Sequence, residues 1–392
     1  MRKICFITGS RADYGIMSTI MKKVKESEEL DLLIVATNMH LSQKYGSTAN
    51  EILNDGFKID YRVDSDLTDN SAKGTVSSMA ATMKGLTEAF ESLKPDMVVI
   101  LGDRFEALAA ASAASVYNIP IAHIHGGEIS EGAYDDNFRH AITKLSNYHF
   151  AATEEYASRI IQMGEKPENV FNTGALGVEN ILNTPLSPVD QLEDFIGLKL
   201  NSGYFVVTFH PVTREPGLEK QQTIALVNAL EYFISRDNLK FIMTLPNSDT
   251  GADNVASVLK EWAAKFPENV ACVKSLGRKL FFTALAGSKG MIGNSSAGLI
   301  EAPCFAIPTV NIGDRQKGRT KARSIIDSEP EKEAIIEAVN KALSSEFGEY
   351  LKTKSLAEIT PYYKEGTSST ILSLLKTLPL TTNKTFHDLN HI

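Results

Sequence analysis

The sequence predicts an α/β protein built from two Rossmann-like halves, each a mostly parallel sheet wound with helices, facing one another across a cleft. Three observations carry that reading. Short apolar runs bounded by turn residues alternate with helical stretches along the whole chain, the pattern of a parallel sheet buried on both faces. The alternation pauses between Leu182 and Leu200, where Pro185 and Pro188 mark a linker, and resumes at Tyr204. A chain of 392 residues is also long enough for two or three domains, each with its own core.

Taken in order, KICFITG (3–9) is a first strand and Ser10 to Gly15 the turn into a helix from Ile16 to Glu26. A strand–turn–helix junction sets free backbone N–H groups and the positive helix end beside the sheet, a ready anion site. Arg11 on that turn is placed either to clamp a phosphate or to make a surface ion pair. LDLLIVAT is the second strand, followed by Asn38-Met39-His40 and a helix near Tyr45 to Asn54. Residues 58–75 are polar and aperiodic and read as a mobile loop. A helix from about Val76 leads to MVVIL (97–101), an Ala-rich helix from Phe105 to Val116, and the strand IPIAHIH. A glycine-marked loop then reaches a helix opened by Tyr134-Asp135-Asp136, and SNYHFAATEEYASRIIQMGE and VFNTGALGVENIL close the half. Beyond the linker, YFVVTFHPVT, KFIMTLPNSDTG, VACVKSL, GMIGN and PTVNIG repeat the pattern, ending in a helix from Pro330 to Leu343. The tail from about Pro379 is polar and expected to fray.

Bulk properties narrow the function. Hydrophobic content of 43% and charged content of 22% are those of an ordinary globular protein. A net charge of −8 argues against nucleic-acid or membrane-surface partners, while leaving room for a local basic pocket. Cys5, Cys272 and Cys304 are scattered among apolar residues and read as buried reduced thiols. Arg2 and Lys3 precede an apolar run too short for a signal peptide, and no stretch is long enough to span a membrane. The expected location is the cytoplasm.

In doubly wound sheets ligands bind outside the carboxyl ends of the strands. Two successive ends deliver Asp103 and Arg104, then His123, His125 and Glu128, with Asp135 opening the next helix; this is read as the reaction centre. Asp103 and Asp135 are candidates for paired acid/base work at an anomeric carbon, although an Asp at a strand end is as often a helix cap. His123 and His125 are spaced to share one strand face, and a hydrogen-bonded pair without metal is preferred to a metal site. His140 and His149 read as structural. In the second half, Asn294-Ser295-Ser296-Ala297-Gly298 is either a phosphate cradle or a plain N-cap. Glu301 either takes two ribose hydroxyls or is an ordinary solvated glutamate, and Arg315 and Arg319 either neutralise a diphosphate or belong to a solvated basic loop. Together these favour a nucleoside diphosphate. Neither a Walker motif nor a G-x-G-x-x-G after a strand is present, so ATPase and dehydrogenase readings have no motif.

TGSRADYG, GDRFEA, HIHGGE, DDNFRHAITKLS, TFHPVT, GNSSAGLIEAP and NIGDRQKGR resemble, in that order, the hydrolysing UDP-N-acetylglucosamine 2-epimerases of sialic-acid-type biosynthesis, from residue 3 to about 326. The resemblance implies the glycosyltransferase-B architecture. Residues 1–182 would be the N-terminal domain with the acid/base residues, 183–360 the UDP-binding domain, and 361–392 a helix crossing back to the first domain and a tail. It implies that Arg11, Ala12, Arg104, Arg139, His210, Asn247, Ser295, Ser296, Glu301 and Arg315 surround the UDP-sugar, and that Asp103, His125, Glu128, Asp135 and His210 form the catalytic set. Many members read H-I-E-G-G-E where this chain has His123-Ile124-His125-Gly126-Gly127-Glu128, so either His125 or Glu128 takes the part of the family's glutamate. No cofactor and no metal are expected; the partner is a UDP-sugar, and the family implies a homo-oligomer, dimer or tetramer. Two alternatives stand beside this reading: a 2,4-diacetamido-2,4,6-trideoxyhexose as the sugar, and, from other classes, a glycosyltransferase or a nucleotide-sugar-binding regulator.

Overall fold

The computed structural model describes residues 1–42, 48–66, 72–129, 135–212, 217–246 and 251–389. These fall into two compact units. The first comprises the described residues up to Ile129, from Asp135 to Asn180 and from Lys364 onward; the second runs from Ile181 to Tyr363.

The first unit is a seven-stranded parallel sheet: β1 (Arg2–Thr8), β2 (Leu30–Thr37), β3 (Tyr61–Val63), β4 (Met97–Leu101), β5 (Ile121–Ile124), β6 (Tyr148–Ala151) and β7 (Val170–Asn172), in the order β3-β2-β1-β4-β5-β6-β7. Successive residues of β1 serve opposite faces, as strand geometry requires. Ile4 and Phe6 join Met17, Ile20 and Val24 of the helix Arg11–Lys25, while Cys5 and Ile7 join Ala110, Ala111 and Ala114 of the helix Phe105–Val116. Both faces are therefore apolar, which is why these strands read as unbroken hydrophobic runs, with each buried Ile or Phe contributing about 1.5–3 kcal/mol.

The second unit has six parallel strands: β8 (Tyr204–Thr208), β9 (Lys240–Thr244), β10 (Val270–Val273), β11 (Met291–Gly293), β12 (Thr309–Ile312) and β13 (Ile325–Ser328), in the order β10-β9-β8-β11-β12-β13. Phe205 and Val207 of β8 enter one core with Leu226, Leu230 and Trp262, and Tyr204 and Val206 enter the other with Leu192 and Leu285. In both sheets the order reverses beside the unit's first strand, between β1 and β4 and between β8 and β11. Ligands of doubly wound folds sit at such reversals. The two-sheet α/β class predicted from the sequence is the class observed.

The chain re-enters the first unit near its end. The helix Thr367–Thr377 buries Ile371 and Leu375 in the core that holds Ile4 and Phe6. Its open N-terminus is capped by the Glu179 carboxylate, which accepts from the Ser368 N–H (2.6 Å) and hydroxyl (2.8 Å).

Several features depart from the sequence reading. The first helix starts at Arg11, capped by the Ser10 hydroxyl, which accepts from the Asp13 N–H at 3.3 Å, so Arg11 and Ala12 lie on its first turn. Of residues 58–75, expected as a loop, 61–63 form the edge strand β3 and the helix Ala72–Leu93 begins four residues early; 67–71 lie outside the described residues. A three-residue edge strand with only Val63 buried leaves no periodic signal. The helix expected near Tyr45 begins at Ala49. The expected linker contains the helix Val189–Ile196, whose Leu192, with Leu198 and Leu200, is buried in the second unit. Pro188 stands in front of that helix, where its fixed φ is compatible with a helix start. The strand β13 and the helices Ser345–Lys352 and Leu356–Ile359 lie in stretches the sequence reading left unassigned. The described part of the tail, residues 380–389, is docked rather than frayed: the Lys384 ammonium donates to three backbone carbonyls. Among the described residues no helix is long and apolar enough to cross a membrane.

Candidate active site

In the first unit, Gly102 has φ +75° and turns the chain out of β4 so that Asp103 and Arg104 stand ahead of the helix Phe105–Val116. The Gly102 carbonyl accepts a hydrogen bond from Nε2–H of His123 (2.8 Å), and His123 Nδ1 accepts from the Thr143 hydroxyl (3.3 Å). Burial holds the His123 pKa down at about 3. The imidazole is neutral, with its proton fixed on Nε2.

His125 is not its companion on a strand face. The strand β5 stops at Ile124, and His125 takes a left-handed φ of +64°. The expected H-x-H alternation is therefore absent, because it requires extended backbone at both positions. A left-handed histidine costs on the order of 1–3 kcal/mol and persists only where its surroundings fix it. Here the His125 N–H donates to the Phe150 carbonyl (3.1 Å), and the Gly127 carbonyl accepts from Arg159 Nη1 (2.6 Å). Gly126 passes so close that a Cβ would lie 2.8 Å from His123 Nδ1. The turn brings His125 Nδ1 to 2.7 Å from Glu128 Oε1. A carboxylate in its ionised form only accepts, which makes Nδ1 the donor, and in the neutral imidazole Nε2 then carries the lone pair. That Nε2 is buried and has no hydrogen-bond partner among the described residues. Histidine and glutamate thus form one oriented pair.

The helix Asp135–Leu145 brings the other charges. Its buried Arg139 donates through Nη2 to Asp103, and Asp136 and Glu128 also act on it. Asp103 is consequently not a helix cap; the N-cap position belongs to Arg104, with no side-chain capping bond. The Asp135 carboxyl is pushed up to about 6, by burial first and then by the neighbouring Asp103. Asp13, on the first helix, is pushed up to about 6 as well, by burial, against the opposing pull of Arg104. Arg104 donates through Nε to Glu106 Oε1 (2.5 Å), and its Nη2 lies 3.7 Å from Met39 Sδ. Glu106 is buried over Gly9, where a Cβ would overlap its carboxylate. Arg11 pairs with Glu51 at 3.1 Å on the surface, and Ala12 is exposed.

In the second unit the hub is Asn294, fully buried after β11. Its Oδ1 accepts from the His210 N–H (2.7 Å) and its Nδ2 donates to the His210 carbonyl (2.8 Å), which ties the end of β8 to the end of β11. The Asn294 carbonyl accepts from Gln316 Nε2 (2.9 Å) and Arg315 Nη1 (3.2 Å), drawing the segment after β12 to the same point. Burial, then Arg315, holds the His210 pKa down at about 3, and its Nδ1 has no hydrogen-bond partner among the described residues. Ser295 caps the helix Ser296–Ile300 by accepting from the Ala297 N–H (3.3 Å), and Glu301, just past that helix, is pushed up to about 7 by burial. Asn247 lies outside the described residues.

The sequence model of the family described as UDP-N-acetylglucosamine 2-epimerase matches residues 22–376. The chain belongs to this UDP-N-acetylglucosamine 2-epimerase family. Among its relatives, the Escherichia coli polysialic acid biosynthesis protein P7 is 37% identical over 388 residues, covering 99% of this chain and 97% of that protein. The Legionella pneumophila UDP-N,N'-diacetylbacillosamine 2-epimerase (hydrolyzing) is 39% identical over 381 residues, 97% of each. The crystal structure of the Neisseria meningitidis UDP-GlcNAc 2-epimerase, bound to UDP-GlcNAc, shares the fold with a TM-score of 0.80 at 20% identity, covering 95% of this chain and 99% of that one.

In this 2-epimerase family member, then, two groups of expected site residues assemble separately. Asp103, Arg104, His125, Glu128, Asp135 and Arg139 gather at the strand ends of the first unit; His210, Ser295 and Arg315 gather about Asn294 in the second. Sequence reasoning passed over Glu106, Asp13 and Thr143, and gave Asn294 no role beyond the loop. Glu106 was detectable, since a glutamate on the first turn of an otherwise apolar, Ala-rich helix needs a partner, and Arg104 is two residues away.

Proposed function

We propose that the chain is a hydrolysing UDP-N-acetylglucosamine 2-epimerase, converting UDP-GlcNAc and water to N-acetylmannosamine and UDP for sialic-acid-type sugar synthesis. The observation that carries this is the His125–Glu128 pair, an imidazole oriented by a carboxylate and presenting an unpartnered nitrogen, in the same unit as Asp103 and Asp135. The C2 proton of a 2-acetamido sugar has no adjacent carbonyl and is not acidic. Its removal becomes feasible only as the anomeric C–O bond breaks. A base takes the C2 proton, the C–H electrons form the C1–C2 double bond, and UDP leaves with the anomeric oxygen. Water then adds at C1 of the 2-acetamidoglucal while an acid returns a proton to C2 from the opposite face. Each well-placed acid or base contributes about 10²–10⁴-fold, and none of these steps calls for a cofactor.

Arg315 and Ser296 are assigned to the departing diphosphate. Arg315→Ala should weaken UDP binding by about 1.5–3 kcal/mol, the worth of a hydrogen bond to a charged group, as read by calorimetric titration with UDP. Unaltered UDP affinity would remove Arg315 from the nucleotide site.

A second reading uses UDP-2,4-diacetamido-2,4,6-trideoxyhexose, favoured by the 39% identity to the Legionella enzyme. Incubation with each UDP-sugar alone, followed by NMR of the products, separates the two. Free N-acetylmannosamine from UDP-GlcNAc supports the first; UDP-GlcNAc recovered unchanged while the diacetamido sugar turns over leaves the second. A glycosyltransferase would release no free 2-epimer from either.

A further inference from the structure

We infer that Lys384, on the C-terminal tail, is a positioning residue for the reaction centre: its ammonium closes the carboxyl end of the helix that begins with Asp135 and carries Arg139. The inference rests on the reading of those two residues as part of the site.

The last carbonyls of a helix have no partner within it, and they carry the negative end of its dipole. In the helix Asp135–Leu145 a lysine from the far end of the sequence fills them. Lys384 Nζ donates to the carbonyls of Lys144 (2.6 Å) and Ser146 (2.6 Å), with that of Thr143 at 3.3 Å, and pairs with Glu165 Oε2 at 2.7 Å. Without the ammonium the Lys144 and Ser146 carbonyls would lose this donor, whereas the Thr143 carbonyl keeps the Ser146 N–H (3.2 Å) and Glu165 Oε2 keeps His149 Nε2 (3.0 Å). The tail is threaded to reach it. The Tyr148 hydroxyl donates to the Pro379 carbonyl (2.6 Å), and the His387 N–H donates to the Gly164 carbonyl (2.9 Å). Phe386 lies so close over Gly164 that a Cβ there would overlap its ring, and Lys144 Nζ lies 4.8 Å from the same ring.

A second route runs through Glu165. This buried carboxylate also accepts from Lys144 Nζ (2.6 Å) and His149 Nε2 (3.0 Å). His149 is paired in register with His123, and His123 holds the Gly102 carbonyl just before Asp103. The tail therefore reaches both carboxylates of the reaction centre, Asp135 through its helix and Asp103 through the two histidines.

Lys384→Ala should lower kcat by about ten- to a hundredfold, the scale of a small misplacement of catalytic groups, and leave UDP affinity unchanged because UDP is assigned to the other unit. n-Propylammonium, which rebuilds the deleted part of the side chain, should restore part of kcat, and sodium at equal ionic strength should not. Amide hydrogen exchange across the last turn of the helix Asp135–Leu145 should quicken in the variant. A folded Lys384→Ala protein with unchanged kcat overturns the proposal, whatever happens to its Tm. Should that variant not fold, Lys384→Met, which keeps the stem, takes its place; failure of both to fold makes the tail a folding element and removes the positioning role. If the wild-type protein turns over no UDP-sugar, the proposed function fails, and hydrogen exchange alone decides: unchanged protection of that turn overturns the strap.

Discussion

Asp135→Asn should lower kcat by about 10²–10⁴-fold while leaving UDP affinity almost intact. The two carboxylates of the first unit have been given different environments. Asp103 faces the buried Arg139 guanidinium, whereas burial and Asp103 itself push the Asp135 carboxyl up to about 6. A carboxyl raised in this way is suited to proton transfer near neutral pH. The sign follows from the direction of the shift. With its pKa raised to about 6, Asp135 is protonated below that pH and ionised above it. As a base it loses activity on the acid side of about 6, and as an acid on the alkaline side. The pH profile of kcat should therefore have a limb near 6 that disappears in Asp135→Asn. Persistence of that limb in the variant, at reduced height, would assign it to another group, with Asp13 next in line because burial raises it to the same range. Asp103→Asn is a poorer probe. It leaves Arg139 with a weakened partner in a buried position, and breaking such a pair costs about 3–5 kcal/mol of stability in addition to any loss of rate.

The second large effect concerns position 125. His125→Ala should reduce turnover by about 10²–10⁴-fold, because it deletes the group whose Nε2 is free to take a proton. His125→Glu, which restores the residue of the commoner motif, should retain much more activity than the alanine variant. Glu128→Gln should also slow turnover, by less, since the amide still accepts a hydrogen bond from Nδ1 but no longer stabilises the charged imidazolium. Steady-state rates of the three variants, measured together, order these roles. Inactive Glu128→Gln beside near-normal His125→Ala would make Glu128 the proton carrier and His125 its neighbour.

How much of this was legible depends on the length scale of each signal. Buried parallel strands announce themselves because both faces need apolar residues; MVVIL and YFVVT are uninterrupted for that reason, and polar residues follow both. The paired motifs before the helices at Phe105 and Asp135 placed the acids correctly at strand ends and helix starts. What failed to show was conformation at single residues and contacts between distant ones. H-x-H is two identical letters whether the second histidine is extended or left-handed, and only the packing of Gly126 and Gly127 decides. Arg11 offered two readings from sequence, and its pairing with Glu51 depends on where a separate helix begins. The tail looked disordered because polar composition says nothing of one lysine finding a helix end.

The return of the chain to the first unit has a consequence for synthesis. The second unit is complete in sequence once Tyr363 has been made, but the first still lacks Ile371, Leu375 and Leu378, which occupy its core. Domains that emerge first usually fold first; here the core of the earlier half is filled only when its last helix has been made, after the whole of the later half. The core of the half that contains Asp103 and His125 is thus completed only once Leu378 has been made. A chain that stops before Ile371 therefore lacks core residues of the first unit while holding every core residue of the second.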